Sequence, residues 1–299
     1  MGWVNTNSAK VEKIPAGNYE DVVLYESWEN PYIIRFVDVD GKVIYSEVWT
    51  EDNLSWPADK NPPKLPEIDG YVGDWEKGWR TKLQNVTADV TIKPVYILKE
   101  YAGNNDHIIA DEKMTAAMLF EYLANGKSVI MSQDLSGGGK NDFGLTGGNV
   151  SICKIGDNKK ARLNLNSFEL TCNFDHNANS AWRVFTIAGE GAQLTLSKGV
   201  GDDGVFVVNF EGIKSNGYLF EIGPGGSLVL EAGVRIEINY TTHQNNNDVQ
   251  VYGFLFDGKP QSFADYNGIY VDKTTEGKII VTVGVTTTIT ENGVVAKQQ

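Results

Sequence analysis

The chain has 299 residues, with 26 lysines and arginines against 39 aspartates and glutamates, and a formal net charge of −13. This acidity argues against nucleic acid and anionic lipid surfaces as partners, because both require a basic patch on the protein. No stretch approaches the roughly 20 apolar residues of a membrane-spanning helix, so membrane insertion is not expected.

The first hundred residues contain strand-rich segments that repeat weakly. Asp21–Trp28 aligns with Asp89–Tyr96, and the N-terminal copy is incomplete. Between them, Ile33–Val39 and Lys42–Val48 flank the pair Asp40-Gly41. This pair predicts a β-hairpin, because Asp-Gly tolerates the positive φ angles of a tight primed turn.

A proline-rich stretch follows the predicted hairpin, and then come Gly70, Tyr71 and Trp75, the run Asn85–Thr91, and a terminal aromatic residue. This order resembles the Listeria-Bacteroides repeat, also called the internalin-type B repeat, over residues 30–97, with residues 1–29 as a tail. The resemblance implies small β-grasp-like modules, which are strung along bacterial surface and secreted proteins as non-catalytic spacers or adhesive modules.

One helix is predicted between the two halves of the chain. It covers Glu112–Ala124, with Asp111 as the N-cap and Gly126 just past its end. One stripe of this helix carries apolar residues, which are Met114, Met118 and Tyr122, with Leu119 and Leu123 beside them. We expect the stripe to cover the open apolar end of the following domain, and a promiscuous binding face is the alternative. The segment from Thr115 to Asp134 resembles the cap and first strand of β-helix domains in surface proteins of gut bacteria.

The second half of the chain repeats an apolar signature with a period of about 35 residues, as repeat architectures do. Its copies are Val150 and Ile152, Phe185 and Ile187, Phe220 and Ile222, and Phe254 and Phe256. A second row comprises Leu163 and Leu165, Leu194 and Leu196, and Leu228 and Leu230. A third row comprises Phe168–Cys172, Val205–Val208 and Val234–Ile238.

Apolar residues alternate strictly around each signature, which predicts strands rather than helices. Glycine-rich breaks such as Gly223–Gly226 separate the strands. Three strands per period predict a right-handed parallel β-helix, in which Phe185, Phe220 and Phe254 share one vertical file. In such a fold Cys153 and Cys172 lie on different sides and act as small apolar fillers, with a disulfide as the alternative.

Polar insertions follow the third strand of each period, at residues 173–180, 211–217 and 241–248. Loops of repeat proteins project from one edge that often binds ligand. The candidate ligand-binding residues are Asp175, His176, Asn177, Lys214, Asn216, Thr242, His243, Gln244 and Asn245. Their amide, hydroxyl and imidazole groups suit hydrogen bonding to a sugar polymer, and solvated turns are the alternative. His176 and His243 would be too far apart to share a metal ion, so neither a metal nor a cofactor is expected.

An enzyme is the alternative function, because many β-helix proteins cleave acidic polysaccharides. The candidate catalytic residues are Asp202, Asp203, Glu211 and Lys214. Lyases of this architecture need several carboxylates around calcium together with a basic residue, and hydrolases need paired carboxylates. No ladder of arginine or lysine accompanies these candidates, so we favour a protein without catalytic activity.

The sequence therefore predicts an all-β chain built from repeat modules and a capped β-helix. The expected parts are a partial B-repeat-like module at 1–29, a complete one at 30–98, a linker with the capping helix at 99–126, and the β-helix at 127–299. The expected function is a cell-surface adhesin or ligand-binding module, with a glycan or a host surface or matrix protein as partner, and a purely structural spacer is a further alternative. The opening Met1-Gly2-Trp3 does not begin a signal peptide, so the chain is either a fragment or a cytosolic protein. The expected domain types favour a fragment of an extracellular, secreted or surface-bound bacterial protein.

Overall fold

The computed structural model describes most of the chain, and the fold below refers to those residues. They are 2–4, 25–27, 32–49, 54–102, 107–138, 150–174, 182–201, 204–210, 217–240, 251–256, 259–261, 268–273 and 277–296. The chain divides into two compact units. The first comprises Met1–Pro66 and Gly78–Pro94, and the second comprises Glu67–Lys77 and Val95–Gln299.

The expected mostly-β composition is confirmed, since strands dominate both units. The strands are β1 (Gly2–Val4), β2 (Tyr25–Ser27), β3 (Tyr32–Val37), β4 (Val43–Trp49), β5 (Tyr71–Trp75), β6 (Val90–Ile92), β7 (Pro94–Leu98), β8 (His107–Ile109), β9 (Ser128–Ile130), β10 (Leu135–Gly138), β11 (Val150–Ile155), β12 (Lys160–Asn164), β13 (Glu169–Phe174), β14 (Trp182–Ile187), β15 (Gln193–Ser197), β16 (Val205–Phe210), β17 (Gly217–Ile222), β18 (Ser227–Leu230), β19 (Arg235–Tyr240), β20 (Val251–Phe256), β21 (Lys259–Gln261), β22 (Ile269–Asp272), β23 (Lys278–Val283), β24 (Thr287–Thr290) and β25 (Gly293–Ala296). The helices of the described residues are α1 (Trp79–Lys82) and α2 (Ala116–Ala124). No helix in the described part of the chain is long and apolar enough to cross a membrane.

The first unit contains a three-stranded sheet in the order β4-β3-β6. The predicted hairpin is confirmed, since β3 and β4 pair antiparallel across a turn in which Gly41 has a φ of 75°. The predicted primed turn is wrong, because Asp40 has no positive φ and the Gly41 N–H donates to the Asp38 carbonyl oxygen. The Asp38 carboxylate accepts hydrogen bonds from the backbone N–H groups of Asp40 and Lys42. Aspartate at this position therefore closes the turn by the side-chain route that short polar residues provide.

Aromatic residues form the core of the first unit. Phe36 is fully buried, and its ring meets the rings of Tyr45, Trp56 and Trp79 edge-on at centroid distances of 6.1, 5.1 and 5.8 Å. The Lys60 ammonium lies 4.3 Å from the Trp56 ring centroid, where the ring face attracts a cation. The buried aliphatic residues Ile34, Val37, Leu83, Val86 and Ile92 complete the core of this unit.

The second unit contains three sheets that receive strands in rotation along the chain. Sheet I has the order β10-β13-β16-β19-β23-β22, sheet II the order β11-β14-β17-β20-β21, and sheet III the order β8-β9-β12-β15-β18-β24-β25. From β9 to β20, successive strands belong to sheets III, I and II in turn, and neighbours within each sheet pair parallel. Each period therefore contributes one strand to each sheet.

Equivalent apolar residues of successive periods are register partners. Phe185 pairs with Phe220, and Phe220 with Phe254, which confirms the predicted file. Their rings stack at centroid distances of 5.6 and 5.8 Å and are fully buried. Each added ring removes further apolar surface from water, at about 25 cal/mol per Å² buried.

The predicted alignment of the first period is wrong in two of its three rows. Cys153, not Val150, is the register partner of Phe185. In sheet III, Ala161 pairs with Leu194 and Leu163 with Leu196, so the predicted leucine pairs are shifted by two residues. The reason is that the first period places small residues where later periods have large ones, so matching by size misaligns it.

The space left by Cys153 is filled from α2. The Phe120 ring on this helix lies 5.5 Å from the Phe185 ring, and the Cys153 thiol reaches the Phe120 carbonyl oxygen at 3.5 Å. The helix thus adds one aromatic ring to the Phe185 file. It also contacts β9, β10, β11 and β12, which are early strands of all three sheets.

The helix begins later than predicted and buries a partly different face. Thr115, not Asp111, is the N-cap, and its hydroxyl accepts a hydrogen bond from the Met118 N–H. The predicted apolar stripe is correct at Met114, Leu119 and Leu123, which are buried, and wrong at Met118, which is 39% exposed. The buried helical residues are Ala116, Leu119, Phe120 and Leu123. The end is as predicted, with Gly126 in the left-handed region at a φ of 77°.

Both cysteines are free and fully buried, as the apolar-filler interpretation predicts. Cys153 lies in sheet II and Cys172 in sheet I. Burial raises the pKa of the Cys153 thiol to about 12 and raises the pKa of Cys172 as well. Both thiols are therefore protonated and unreactive in the folded chain.

Antiparallel strands complete each sheet after the last parallel strand. Strand β21 pairs with β20, β23 with β19, and β24 with β18. The reversal places β22 and β25 outside β23 and β24. The three parallel rows consequently end together, at the side away from α2.

Candidate functional site

The residues that the sequence singles out for function lie outside the described residues. This holds for the ligand-binding candidates Asp175, His176, Asn177, Lys214, Asn216, Thr242, His243, Gln244 and Asn245, and for the catalytic candidates Asp202, Asp203 and Glu211. What the structure places are the strand ends that lead into and out of the three polar segments.

These strand ends are in register on both sides. On sheet I, the segments follow Phe174, Phe210 and Tyr240, which are neighbours across β13, β16 and β19. On sheet II, the chain returns at Trp182, Gly217 and Val251, which are neighbours across β14, β17 and β20. We call this boundary, defined by these six residues, the I–II edge. All three candidate segments therefore start and finish at one edge of the second unit.

An asparagine ladder runs along sheet I directly before the I–II edge. The Asn239 side-chain amide donates to the Asn209 carbonyl oxygen at 2.7 Å, and the Asn209 amide donates to the Asn173 carbonyl oxygen at 2.5 Å. The Asn173 amide continues the ladder to the Ser136 hydroxyl at 3.4 Å. The three asparagines are half-buried. Their mutual hydrogen bonds fix the direction of each amide, so the ladder presents a regular polar row beside the edge.

The aromatic residues next to the ladder hold the strand ends together. The Phe174 and Phe210 rings stack at a centroid distance of 5.0 Å, with an angle of 18° between their planes. Gly217, the first residue of β17, packs against the Phe210 ring so closely that a Cβ atom would lie 2.8 Å from it. The strand that enters the edge and the strand that leaves it therefore meet in close contact.

A second polar row lies on sheet II, on the other side of the I–II edge. The Thr186 hydroxyl donates to the Glu221 carboxylate at 2.9 Å and also contacts the Ser151 hydroxyl. The Arg183 guanidinium lies 2.8 Å from the same carboxylate and 5.9 Å from the Tyr218 ring centroid. The charges of Arg183 and Glu221 thus offset each other within the row.

A charged group on the outer face of sheet I is balanced in the same way. The Glu237 carboxylate accepts from Arg235 on its own strand and from Lys278 on β23. Partial burial raises the pKa of Glu237, but the hydrogen bonds from Lys278 and Arg235 outweigh burial and lower it overall. This carboxylate is therefore ionised and paired at neutral pH.

In the part of the chain that the structure describes, no group of three or more histidine, cysteine, aspartate or glutamate residues can hold a metal ion. Glu221 and Glu237 each have cationic partners. The chemistry that the described residues beside the edge support is hydrogen bonding by the asparagine amides.

The asparagine ladder and the Arg183 row were missed at the level of sequence. The ladder has a signal that alignment of the third strands reveals, since Asn173-Phe174, Asn209-Phe210 and Asn239-Tyr240 occupy one position in each period. Arg183 and Glu221 have no counterpart in the other periods at their register positions, where Ser151 and Leu255 stand. That row is visible only once the strands are paired.

Comparison of the chain with protein-family models, with curated proteins and with solved structures found no match.

Proposed function

We propose that the second unit is a right-handed parallel β-helix that binds a glycan along the I–II edge, without catalysis. In this proposal residues 30–98 form a B-repeat-like stalk module preceded by a partial copy at residues 1–29, and the chain belongs to a secreted or cell-surface bacterial protein. The observation that carries the proposal is the register of the strand ends, which brings three polar segments to one edge. Repeat proteins commonly use such an edge for binding.

The parallel register supports the architecture in this proposal. Strands visit sheets III, I and II in rotation, and each period adds one strand to every sheet. Parallel strands lie about 4.8 Å apart, so the strand ends at which the three segments begin form a row with that spacing. A row of this kind suits an extended ligand with repeated groups.

The chemistry of the edge favours a neutral polymer rich in hydroxyl groups. The asparagine ladder directly beside the edge offers amides, whereas the Thr186 hydroxyl lies four residues along β14 from the edge. The charged groups beside them are paired with each other, and the net charge of −13 disfavours polyanions. A neutral glycan therefore fits the edge better than an acidic one.

The proposal is tested with a glycan array probed with the whole chain. We expect binding to at least one neutral glycan, and a loss of about tenfold in affinity for the combined variant His176→Ala, Asn216→Ala and His243→Ala, since one lost interaction of 1.4 kcal/mol suffices for that factor. The matched control is Gln193→Ala on the outer face of sheet III, where the Gln193 amide contacts Ser227 at 3.3 Å. This control should bind like the wild type.

Two results would overturn the proposal. A blank array for the intact chain would leave only the spacer function. New reducing ends or unsaturated products after incubation with glycans would show an enzyme instead.

A further inference from the structure

A pocket lies in the second unit at the corner where sheet II leads into sheet III. Its volume is about 330 Å³, within the size range of small-molecule sites. The lining residues are Ile222, Gly223, Pro224, Phe256, Glu291 and Asn292. None of them belongs to the I–II edge.

The antiparallel closure of sheet III creates this pocket. Strand β24 runs opposite to β18, so Thr290 at its end pairs with Ser227 at the start of β18. The turn at Glu291 and Asn292 therefore lies next to the turn at Gly223 and Pro224.

The floor of the pocket is the end of an apolar row. Phe256 is the register partner of Ile222, and both side chains are buried. Pro224, Glu291 and Asn292 on the walls are exposed. The pocket therefore combines an apolar base with two polar side chains at its rim, which is the usual composition of a site for a small polar molecule.

The two polar side chains at the rim have no partner among the residues that the structure describes. Within the described ranges, neither the Glu291 carboxylate nor the Asn292 side-chain amide has a hydrogen bond or ion pair. The Asn292 backbone N–H, by contrast, donates to the Thr290 hydroxyl at 3.3 Å and fixes the turn. The turn thus carries a carboxylate and an amide on adjacent exposed residues.

We propose that this pocket binds one neutral pyranose unit. The C–H face of the sugar packs on Pro224 and the exposed part of Phe256, and the Glu291 carboxylate and Asn292 amide bond its hydroxyl groups. A uronic acid or sulfated sugar is disfavoured, because its anion would lie beside Glu291 and no described lining residue is a cation. The ligand class rests on the proposed glycan binding, whereas the site itself is separate from the I–II edge.

The test measures saturation-transfer NMR signals from neutral methyl hexosides and from the matching methyl uronides. With the whole chain, we expect transfer to at least one neutral hexoside and weaker transfer to its uronide. The double variant Glu291→Gln and Asn292→Ala should weaken binding at least about tenfold, a change of 1.4 kcal/mol. Glu190→Gln is the matched control, since Glu190 is an exposed carboxylate in the preceding turn at the same corner and does not line the pocket.

The outcomes of this test distinguish the pocket proposal from the glycan binding proposed for the I–II edge. Three results would contradict the proposed sugar binding in the pocket. They are no transfer to any neutral hexoside, equal or stronger transfer to the uronide, and equal binding by the double variant. If the double variant keeps glycan-array binding that the His176, Asn216 and His243 variant loses, the function proposed for the edge stands by itself.

Discussion

Cys153 occupies a position in sheet II that phenylalanine occupies in the next three periods. Its small side chain lets Phe120 of α2 approach Phe185 to 5.5 Å. A single residue thus decides whether the helix can close the first period. In the first period the Phe120 ring of α2 takes the place of a phenylalanine ring on the strand, so the interior stays filled, as close packing requires.

The substitution Cys153→Phe is expected to destabilise the second unit by about 1 to 3 kcal/mol, because a second ring would compete with Phe120 for the same space. The measurement is the free energy of unfolding from a denaturant titration followed by far-UV circular dichroism. Cys153→Ala is the control and should cost less, since it leaves room for Phe120. A Cys153→Phe variant as stable as the wild type would contradict this account of the helix contact.

At residue level the sequence predicts the repeated part of the interior well and the first period poorly. Phe185, Phe220 and Phe254 share type and spacing, so their file follows from periodicity alone. Cys153 resembles none of them, and its role depends on Phe120, which is distant in sequence. The candidate binding residues, such as His176 and His243, stay predictions.

The turns between strands are the elements that keep the three sheets in register. Gly226 lies in the turn before β18, and a Cβ atom there would lie 2.8 Å from the carbonyl carbon of Ile187 in the preceding period and closer still to its oxygen. Gly156 lies in the turn after β11, where a Cβ atom would meet nothing within 4 Å. Two glycines that look alike in the sequence therefore have different structural roles.

Substitution of each glycine by alanine should change the stability of the protein differently. Gly226→Ala is expected to cost about 1 to 3 kcal/mol, because the added methyl group must push the Ile187 backbone away. Gly156→Ala should leave stability unchanged or raise it by about 0.4 to 1 kcal/mol through a less flexible unfolded chain. Thermal unfolding of both variants provides the comparison, and equal midpoints would show that the Gly226 turn adapts at no cost.

Helix α2 shows which features of an element the sequence predicts. Its existence and its end at Gly126 follow from helix-forming residues and a C-terminal glycine. Its start depends on which of two capping residues folds onto the first turn. Asp111 instead accepts from the Lys113 N–H, and Thr115 takes the cap. The buried face then follows from contacts with strands, and for that reason Met118 is exposed.

At the scale of the whole molecule, Glu237 links the last parallel strand of sheet I to the antiparallel strand beyond it. Its carboxylate on β19 pairs with Lys278 on β23. The pKa of Glu237 is lowered from 4.5 by hydrogen bonds that outweigh burial. Since the folded-state pKa lies below the unfolded value, the stabilisation is complete above pH 4.5 and is lost as the pH falls through the folded-state pKa.

Glu237→Gln should therefore flatten the fall of the unfolding temperature in acid. The measurement is the thermal midpoint as a function of pH from neutral to strongly acidic solution. The wild type should lose more stability below pH 4.5 than Glu237→Gln does. Glu291→Gln is the matched control and should follow the wild type, because Glu291 is exposed. Identical acid profiles for Glu237→Gln and the wild type would rule out this role.

The reversal of direction in β21, β23 and β24 also limits how such a chain can change in length. An extra period appended after these strands would find no parallel neighbour to continue from. In-frame duplication of an interior stretch, such as β16 to β18, would instead insert one strand into every sheet and leave both termini as they are. Growth by gene duplication is therefore restricted to the middle of the array, and each event would lengthen the I–II edge by one segment.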